Sequence, residues 1–179
     1  SQIKIEGIDT FLDTTHKVIP DRIEACTFII AAAITNSSLW IKKINFEHIS
    51  YFLEIMEKIG LKFKLTNKAI FIEKSKKLSA ISLKTKEYPG FPTDLQAQLM
   101  TLACVSNGNS NIEECIFENR FMHVPELNRL GADIKIKGNN AIINGNCSFI
   151  GAEVMATDLR ASVSLILAAL IAKGKTKIN

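Results

Sequence analysis

Three apolar stretches of helical length recur along the chain, and an aspartate stands directly before each of them. The stretches lie in PDRIEACTFIIAAAI, TDLQAQLMTLACV and TDLRASVSLILAALI, with their aspartates at Asp21, Asp94 and Asp158. In the first stretch, apolar side chains would cover nearly every side of a helix, which is typical of a helix buried in a core. The pattern therefore predicts one helical unit that occurs three times.

A second pattern follows the first two apolar stretches and is also repeated. LEIMEKIGLKFKLTNKAIFIE from Leu53 matches VPELNRLGADIKIKGNNAIIN from Val124. Each predicts an amphipathic helix, a glycine that ends it, and two alternating strands around a polar turn. The full unit is helix, strand, helix, strand, strand, with one more strand in front. Such a block predicts an α/β fold in which sheets surround shared core helices.

The same patterns set approximate boundaries for the elements and for the repeats. Predicted helices cover 21–35, 47–59, 94–105 and 124–130. Predicted strands cover 39–44, 61–65, 69–73, 80–85, 111–116, 134–137 and 141–144. The repeat units span about 19–87, 88–150 and 151–179. We expect the third unit to be cut short, because only 21 residues (179 − 158) follow its aspartate.

Composition narrows the class of protein. With 179 residues, 47% of them hydrophobic, the chain can bury the core of one ordinary domain. Its net charge of +4 comes from lysines spread among 18 acidic residues, which argues against a nucleic-acid-binding stripe and weakly favours a small anionic ligand. The longest apolar stretch, 163–172, is too short to span a membrane, and the first residues lack a secretory pattern. We expect a cytoplasmic protein without nucleic-acid or membrane partners.

No pattern in the sequence predicts a metal or a cofactor. The four cysteines lack CxxC spacing, and the three histidines lack the spacing of metal ligands. We expect reduced, structural thiols at Cys26, Cys104, Cys115 and Cys147.

The three aspartates have a structural and a functional interpretation. An aspartate before an apolar helix accepts hydrogen bonds from otherwise unpaired N–H groups and stabilises the helix dipole. Three equivalent helix starts, however, are expected on one face of a repeated fold, where their N–H groups would attract phosphates or carboxylates. The sequence thus predicts a binding site for an anionic ligand at this face.

Four longer segments carry a more specific signal than any single motif. They are PDRIEACTF (20–28), FPTDLQAQ (91–98), IFENRFMHVPELNRLGADI (116–134) and GAEVMATDLRAS (151–162). In this order and at this spacing they resemble the UDP-N-acetylglucosamine 1-carboxyvinyltransferases, an enolpyruvyl transferase family. The resemblance covers nearly the whole chain. It implies a lobe built as an inside-out α/β barrel of βαβαββ units, here two complete copies and a truncated third.

The resemblance also implies an activity and a missing partner. That family transfers the enolpyruvyl group of phosphoenolpyruvate to the 3-hydroxyl of UDP-N-acetylglucosamine, the first committed step of peptidoglycan synthesis. Residues 1–18 resemble the tail of the family's first lobe and the crossover, with IKIEGI at 3–8 matching its last strand, and 19–179 resemble its second lobe. The family's catalytic cysteine lies in a Gly-rich loop of the first lobe, and this sequence contains no such loop. We therefore expect the chain to need the first lobe and to be inactive alone.

Residue by residue, the resemblance implies these roles. Asp94 matches an aspartate that contacts the sugar 3-hydroxyl and either removes its proton or only orients it. Ile116 matches a position that touches the UDP-sugar, and Asp158 matches an aspartate implicated in proton transfer. Arg160 matches an arginine that binds phosphoenolpyruvate, a role suited to its permanently charged, two-pronged group.

Two further residues are weaker candidates for the same cleft, namely Asp21 and Arg120. Cys115 is not the counterpart of the catalytic cysteine, and we expect a half-buried structural thiol in a strand. Two other functions stay open. The chain could be a lobe of 3-phosphoshikimate 1-carboxyvinyltransferase, against which ENRFMHVPELNRLGAD speaks, or a noncatalytic binding module that keeps the repeat fold.

Overall fold

The computed structural model describes residues 2–179 and contains the predicted alternation of helices and strands. The helices are α1 (Arg22–Ile34), α2 (Ser50–Ile59), α3 (Gln96–Val105), α4 (Val124–Arg129) and α5 (Leu159–Ala169). The strands are β1 (Leu39–Lys42), β2 (Phe63–Leu65), β3 (Ala69–Ile72), β4 (Ser82–Lys84), β5 (Asn109–Glu113), β6 (Asp133–Lys137), β7 (Asn140–Asn144), β8 (Glu153–Val154) and β9 (Lys177–Ile178).

The three apolar helices form the centre of the core. Helix α3 packs against both α1 and α5, and nearly all of its residues are buried. Ile29 of α1, Met100 of α3 and Leu165 of α5 are each completely buried. Because a helix that is apolar on most sides must bury most sides, the repeated apolar stretches give a shared helical core.

Three sheets surround this core, and two of them repeat the same pairing. Strands β2 and β3 form an antiparallel hairpin, and so do β6 and β7. Each hairpin pairs through its second strand with an earlier strand, β1 or β5. The strand before an apolar helix pairs in parallel with the strand after it, as β4 with β5 on either side of α3 and β8 with β9 on either side of α5. The predicted repeated α/β units are confirmed.

Most predicted boundaries differ from the observed ones by one to three residues, and two helix starts and one strand end are instructive. Helices α2 and α3 are each preceded by a 3₁₀ turn, at Phe46–Ile49 and Thr93–Leu95. Strand β5 ends at Glu113, before the predicted end at residue 116. The backbone N–H groups of Cys115 and Ile116 donate to the side chains of Thr85 and Glu114 instead of to a neighbouring strand, so the sheet pairing stops there.

Residues 3–8, which resemble a strand of the family's first lobe, form no strand in this structure. Residues 2–20 contain no helix or strand, and their side chains are exposed, including those of Ile3, Ile5 and Ile8. A strand needs a neighbour that pairs with its backbone N–H and C=O groups. No strand within residues 2–179 pairs with this segment.

Candidate functional site

Asp94 and Arg160 form the ion pair at the centre of the site. The Arg160 Nε atom donates to Asp94 Oδ1 at 2.7 Å, and Nη2 of the same group lies 2.5 Å from that oxygen. The Nη1 atom of Arg120 lies 3.8 Å from the same oxygen. One carboxylate oxygen thus faces two guanidinium groups that come from the start of α5 and from the loop between β5 and α4.

Asp94 can make this pair because it does not cap its own helix. It sits in the 3₁₀ turn before α3, where neither the turn nor the helix has a side-chain cap. The expectation that the three aspartates are equivalent helix caps is therefore wrong for Asp94. The extra turn moves its carboxylate away from the N–H groups of α3 and leaves it available to charged partners.

Asp21 and Asp158 do cap their helices. Oδ1 of Asp21 accepts from the backbone N–H groups of Ile23 and Glu24, at 2.7 and 3.1 Å. Oδ1 of Asp158 accepts from the N–H groups of Arg160 and Ala161, at 2.7 and 3.0 Å. These backbone bonds, that of Ala161 first, hold the pKa of Asp158 below its ordinary value. In each cap, Oδ1 takes both bonds and Oδ2 takes neither.

A cavity of about 410 Å³ opens beside the ion pair. It is lined by Asp21, Asp94 and Arg160 together with apolar side chains of α1 and α5. Phe28, which the sequence pattern assigns to the core, is 52% exposed and forms part of this wall. The structure therefore brings Asp21, Asp94 and Arg160 to one cavity that combines charged groups with an apolar surface.

Ile116 and Arg120 lie in a second cavity, of about 780 Å³, formed mainly by the loop between β5 and α4. The guanidinium of Arg120 stacks over the ring of Phe117 at 4.3 Å. Because Arg120 lines this cavity and also faces Asp94, it connects the two cavities. Asp158 is not among the residues that line either one.

Sequence reasoning missed Glu114, a buried residue that links the two cavities. Its carboxylate accepts a hydrogen bond from the hydroxyl of Thr93, directly before Asp94, and another from the backbone N–H of Ile116. The alternation of buried and exposed residues along β5 could have indicated that Glu114 is buried. Ser110 and Ile112 face the core, so period-two alternation places Glu114 on the same buried side.

Two other residues near the site have unusual surroundings. The Cys115 thiol is exposed, contrary to the expected half-buried one, because β5 ends before it, and desolvation followed by its hydrogen bond to Glu113 raises its pKa. His123 is buried, which lowers its pKa to about 4 despite the nearby Asp158 carboxylate. Its Nε2 atom has no hydrogen-bond partner within residues 2–179. These contacts favour an unreactive thiol and a neutral imidazole at neutral pH.

Residues 2–179 contain neither a cluster of metal ligands nor a membrane-spanning helix. This part of the chain contains no group of three or more His, Cys, Asp or Glu side chains placed to hold a metal ion. None of its helices has both the length and the apolar character needed to cross a membrane.

Comparison with known proteins gives close relatives along the whole chain. The family model described as EPSP synthase (3-phosphoshikimate 1-carboxyvinyltransferase) matches residues 1–179. A protein of Pelagibacter ubique (strain HTCC1062) named UDP-N-acetylglucosamine 1-carboxyvinyltransferase is 56% identical over 177 residues, 99% of this chain and 42% of that protein. A protein of the same name from Campylobacter lari (strain RM2100 / D67 / ATCC BAA-1060) is 53% identical, over 91% of this chain and 39% of its own length.

A solved structure agrees with these matches. The crystal structure of the enolpyruvyl transferase NikO from Streptomyces tendae superimposes with a TM-score of 0.84 at 26% identity, over 90% of this chain and 39% of that one. This likeness confirms the predicted fold class. The chain spans about two fifths of the length of the curated relatives named above. With a family model that matches all of its residues, the chain belongs to the EPSP synthase family.

Proposed function

We propose that this chain is the second lobe of a UDP-N-acetylglucosamine 1-carboxyvinyltransferase, with residues 19–179 forming the lobe and 1–18 the tail of the first lobe and the crossover. Relatives at 53–56% identity carry that name. The observation that carries the proposal is the Asp94–Arg160 pair at the wall of an open cavity. A few charged groups in a cavity that also has an apolar wall are the usual means of orienting a polar ligand.

In the proposed reaction, the sugar 3-hydroxyl adds to C2 of phosphoenolpyruvate while a proton adds to C3, which gives a tetrahedral ketal. Loss of a C3 proton and cleavage of the C2–O bond to phosphate then release the enolpyruvyl sugar. Asp94 faces the sugar 3-hydroxyl, and either accepts its proton or orients it. Asp158 takes part in proton transfer through the part of its carboxylate that does not cap α5.

Arg160 binds the anionic phosphoenolpyruvate, because a guanidinium donates two parallel hydrogen bonds to carboxylate or phosphate. In the present structure it donates to Asp94 instead. Arrival of the anion would therefore draw Arg160 from Asp94 and free the carboxylate for the hydroxyl. Ile116 and Arg120 contact the UDP-sugar from the second cavity, and Asp21 completes the first.

The missing contributions come from a first lobe, which supplies the catalytic cysteine loop and closes the cleft. The substrates are UDP-N-acetylglucosamine and phosphoenolpyruvate, the place is the cytoplasm, and the product enters peptidoglycan synthesis for cell-wall growth and division. No cofactor or metal is part of the proposal, because addition and elimination need only proton transfer and charge stabilisation.

Ligand titration of the chain tests the proposal directly. We expect UDP-N-acetylglucosamine to shift backbone amide NMR signals around Asp94, Ile116 and Arg160, and shikimate 3-phosphate to leave them unchanged. Asp94→Asn should weaken the response. Glu57→Gln, the same change of charge on the exposed side of α2, should not.

Other results of the titration would support one of the two alternative functions. A response to shikimate 3-phosphate alone would make the chain a lobe of 3-phosphoshikimate 1-carboxyvinyltransferase, which the name of the matching family model favours. Unchanged signals with both ligands up to millimolar concentration would favour a noncatalytic module.

A further inference from the structure

Glu114 is a buried carboxylate that accepts four hydrogen bonds. Its Oε1 atom accepts from the Thr85 hydroxyl at 2.9 Å and from the backbone N–H groups of Ile116 and Phe117 at 2.9 and 3.2 Å. Its Oε2 atom accepts from the Thr93 hydroxyl at 2.9 Å. The residue is only 4% exposed. Few side chains in a small domain meet so many donors at once.

The four donors come from three separate segments. Thr85 follows β4, Thr93 opens the turn that carries Asp94, and Ile116 begins the loop that leads to Arg120. The backbone N–H of Cys115 donates to the Thr85 hydroxyl at 2.8 Å, which leaves that hydroxyl free to donate to Glu114. One carboxylate thus fixes the turn of the first cavity against the loop of the second.

Glu114 has no salt-bridge partner among the described residues that would offset the cost of its burial. Burial of an unpaired carboxylate costs free energy. The specific property of the group is that two oxygens can accept about four hydrogen bonds together. Glutamine has one such oxygen, so it would lose part of this network.

We propose that Glu114 is a positioning residue, which sets the distance between Asp94 and the Ile116–Arg120 loop and so aligns a bound sugar nucleotide with Asp94. The proposal rests on the function proposed above. Although Glu114 is among the residues that line the second cavity, all four of the bonds described go from the protein itself to its carboxylate.

Amide hydrogen exchange tests the structural half without any ligand. In Glu114→Gln the Ile116 and Phe117 amides lose their charged acceptor and keep at most a neutral one, so their exchange should become faster by roughly tenfold. The matched control is Ile29→Val in α1, a change that lowers overall stability at a buried residue that lines neither cavity. In the control these two amides should change no more than the rest of the core. Equal exchange in both variants would overturn the proposal.

Kinetics test the functional half in a full-length enzyme. We would replace the matching segment of the Pelagibacter ubique relative by this chain, and we call the product the grafted enzyme. Glu114→Gln should lower kcat by roughly tenfold or more, the cost of a misplaced catalytic group, at saturating concentrations of both substrates. Ile29→Val should leave kcat unchanged.

The exchange test and the kinetic test can fail independently of each other. Unchanged kcat in Glu114→Gln would overturn the positioning role even if exchange is faster. A grafted enzyme that binds neither substrate would count against the proposed function, whereas the exchange comparison would still decide whether Glu114 holds the loop.

Discussion

Three aspartates that look alike in the sequence have different partners in the fold. Asp21 and Asp158 each accept two backbone N–H groups at a helix start, and Asp94 accepts from Arg160 instead. The difference arises from one 3₁₀ turn before α3. The spacing of apolar residues does not predict this turn. At the scale of a residue, the sequence motif identifies the aspartate, and the local turn decides its chemistry.

Removal of the caps should therefore cost stability at two sites of the three. We expect Asp21→Ala and Asp158→Ala to lower the free energy of unfolding by about 1 kcal/mol each. Asp94→Ala removes no cap and should cost less than either. Urea unfolding at pH 7 measures all three variants, and an equal loss in Asp94→Ala would contradict the assignment.

The cap at Asp158 should also depend on pH. Its folded pKa is lowered, so the stabilisation is present above the ordinary pKa of 3.8 and is lost as pH falls through the folded value. The difference in unfolding free energy between wild type and Asp158→Ala should therefore shrink in strong acid. A difference that stays constant down to pH 2 would contradict this.

His123 is a base, whereas Asp158 is an acid, but the stability of the fold falls with falling pH in both cases. Its folded pKa of about 4 lies below the ordinary 6.5, so the unfolded chain binds the extra proton first as pH falls. Between pH 7 and pH 5 we expect wild type to lose about 2 kcal/mol through this residue. His123→Gln should lose correspondingly less, as measured by urea unfolding at both values. Equal losses in the two proteins would contradict a neutral, buried imidazole.

At the scale of elements, glycines end both amphipathic helices in the left-handed conformation. Gly60 after α2 has φ 99° and Gly131 near the end of α4 has φ 100°. An L side chain is strained there, and at Gly60 a Cβ would also lie 3.2 Å from a backbone oxygen.

Alanine at these stops should therefore destabilise the fold. We expect Gly60→Ala and Gly131→Ala to lose about 1–2 kcal/mol each, with the larger loss at Gly60. Gly7→Ala is the control, because nothing lies within 4 Å of a Cβ at that position. Thermal unfolding compares the three, and an unchanged midpoint in Gly60→Ala would show that the stop tolerates a side chain.

The elements were largely predictable, whereas the junctions were not. Apolar periodicity locates α1, α3 and α5, and the glycine stops locate α2 and α4, because these signals depend on local sequence. The end of β5 depends on the Thr85 hydroxyl, which donates to Glu114 and accepts from the Cys115 N–H across about 30 positions of the chain. Such contacts have no local pattern, so the network at the site appears only in the fold.

At the scale of the whole molecule, the repeat places functional groups from different units side by side. Asp94 belongs to the second unit and Arg160 to the third, yet their atoms are in contact. The resemblance to known enzymes named both residues, and packing of α3 against α5 accounts for their proximity. The two cavities meet where Arg120 faces Asp94.

If the chain is the second lobe proposed above, it should bind ligand without completing the reaction. The catalytic cysteine loop that the resemblance implies lies in the other lobe, so we expect no enolpyruvyl transfer by this chain alone. Release of phosphate from phosphoenolpyruvate in the presence of UDP-N-acetylglucosamine measures this. Turnover by the chain without added protein would contradict the division of the site between two lobes.

The most direct test of the account is the turnover of the grafted enzyme with and without the Asp94 carboxylate. If Asp94 acts on the sugar hydroxyl, Asp94→Asn should lower kcat by roughly a hundredfold or more, the usual contribution of a proton-transferring group. Glu57→Gln, the same change on the exposed side of α2, should leave kcat within about twofold, as a surface position remote from the chemistry does. An Asp94→Asn enzyme that turns over at the wild-type rate would contradict the central claim.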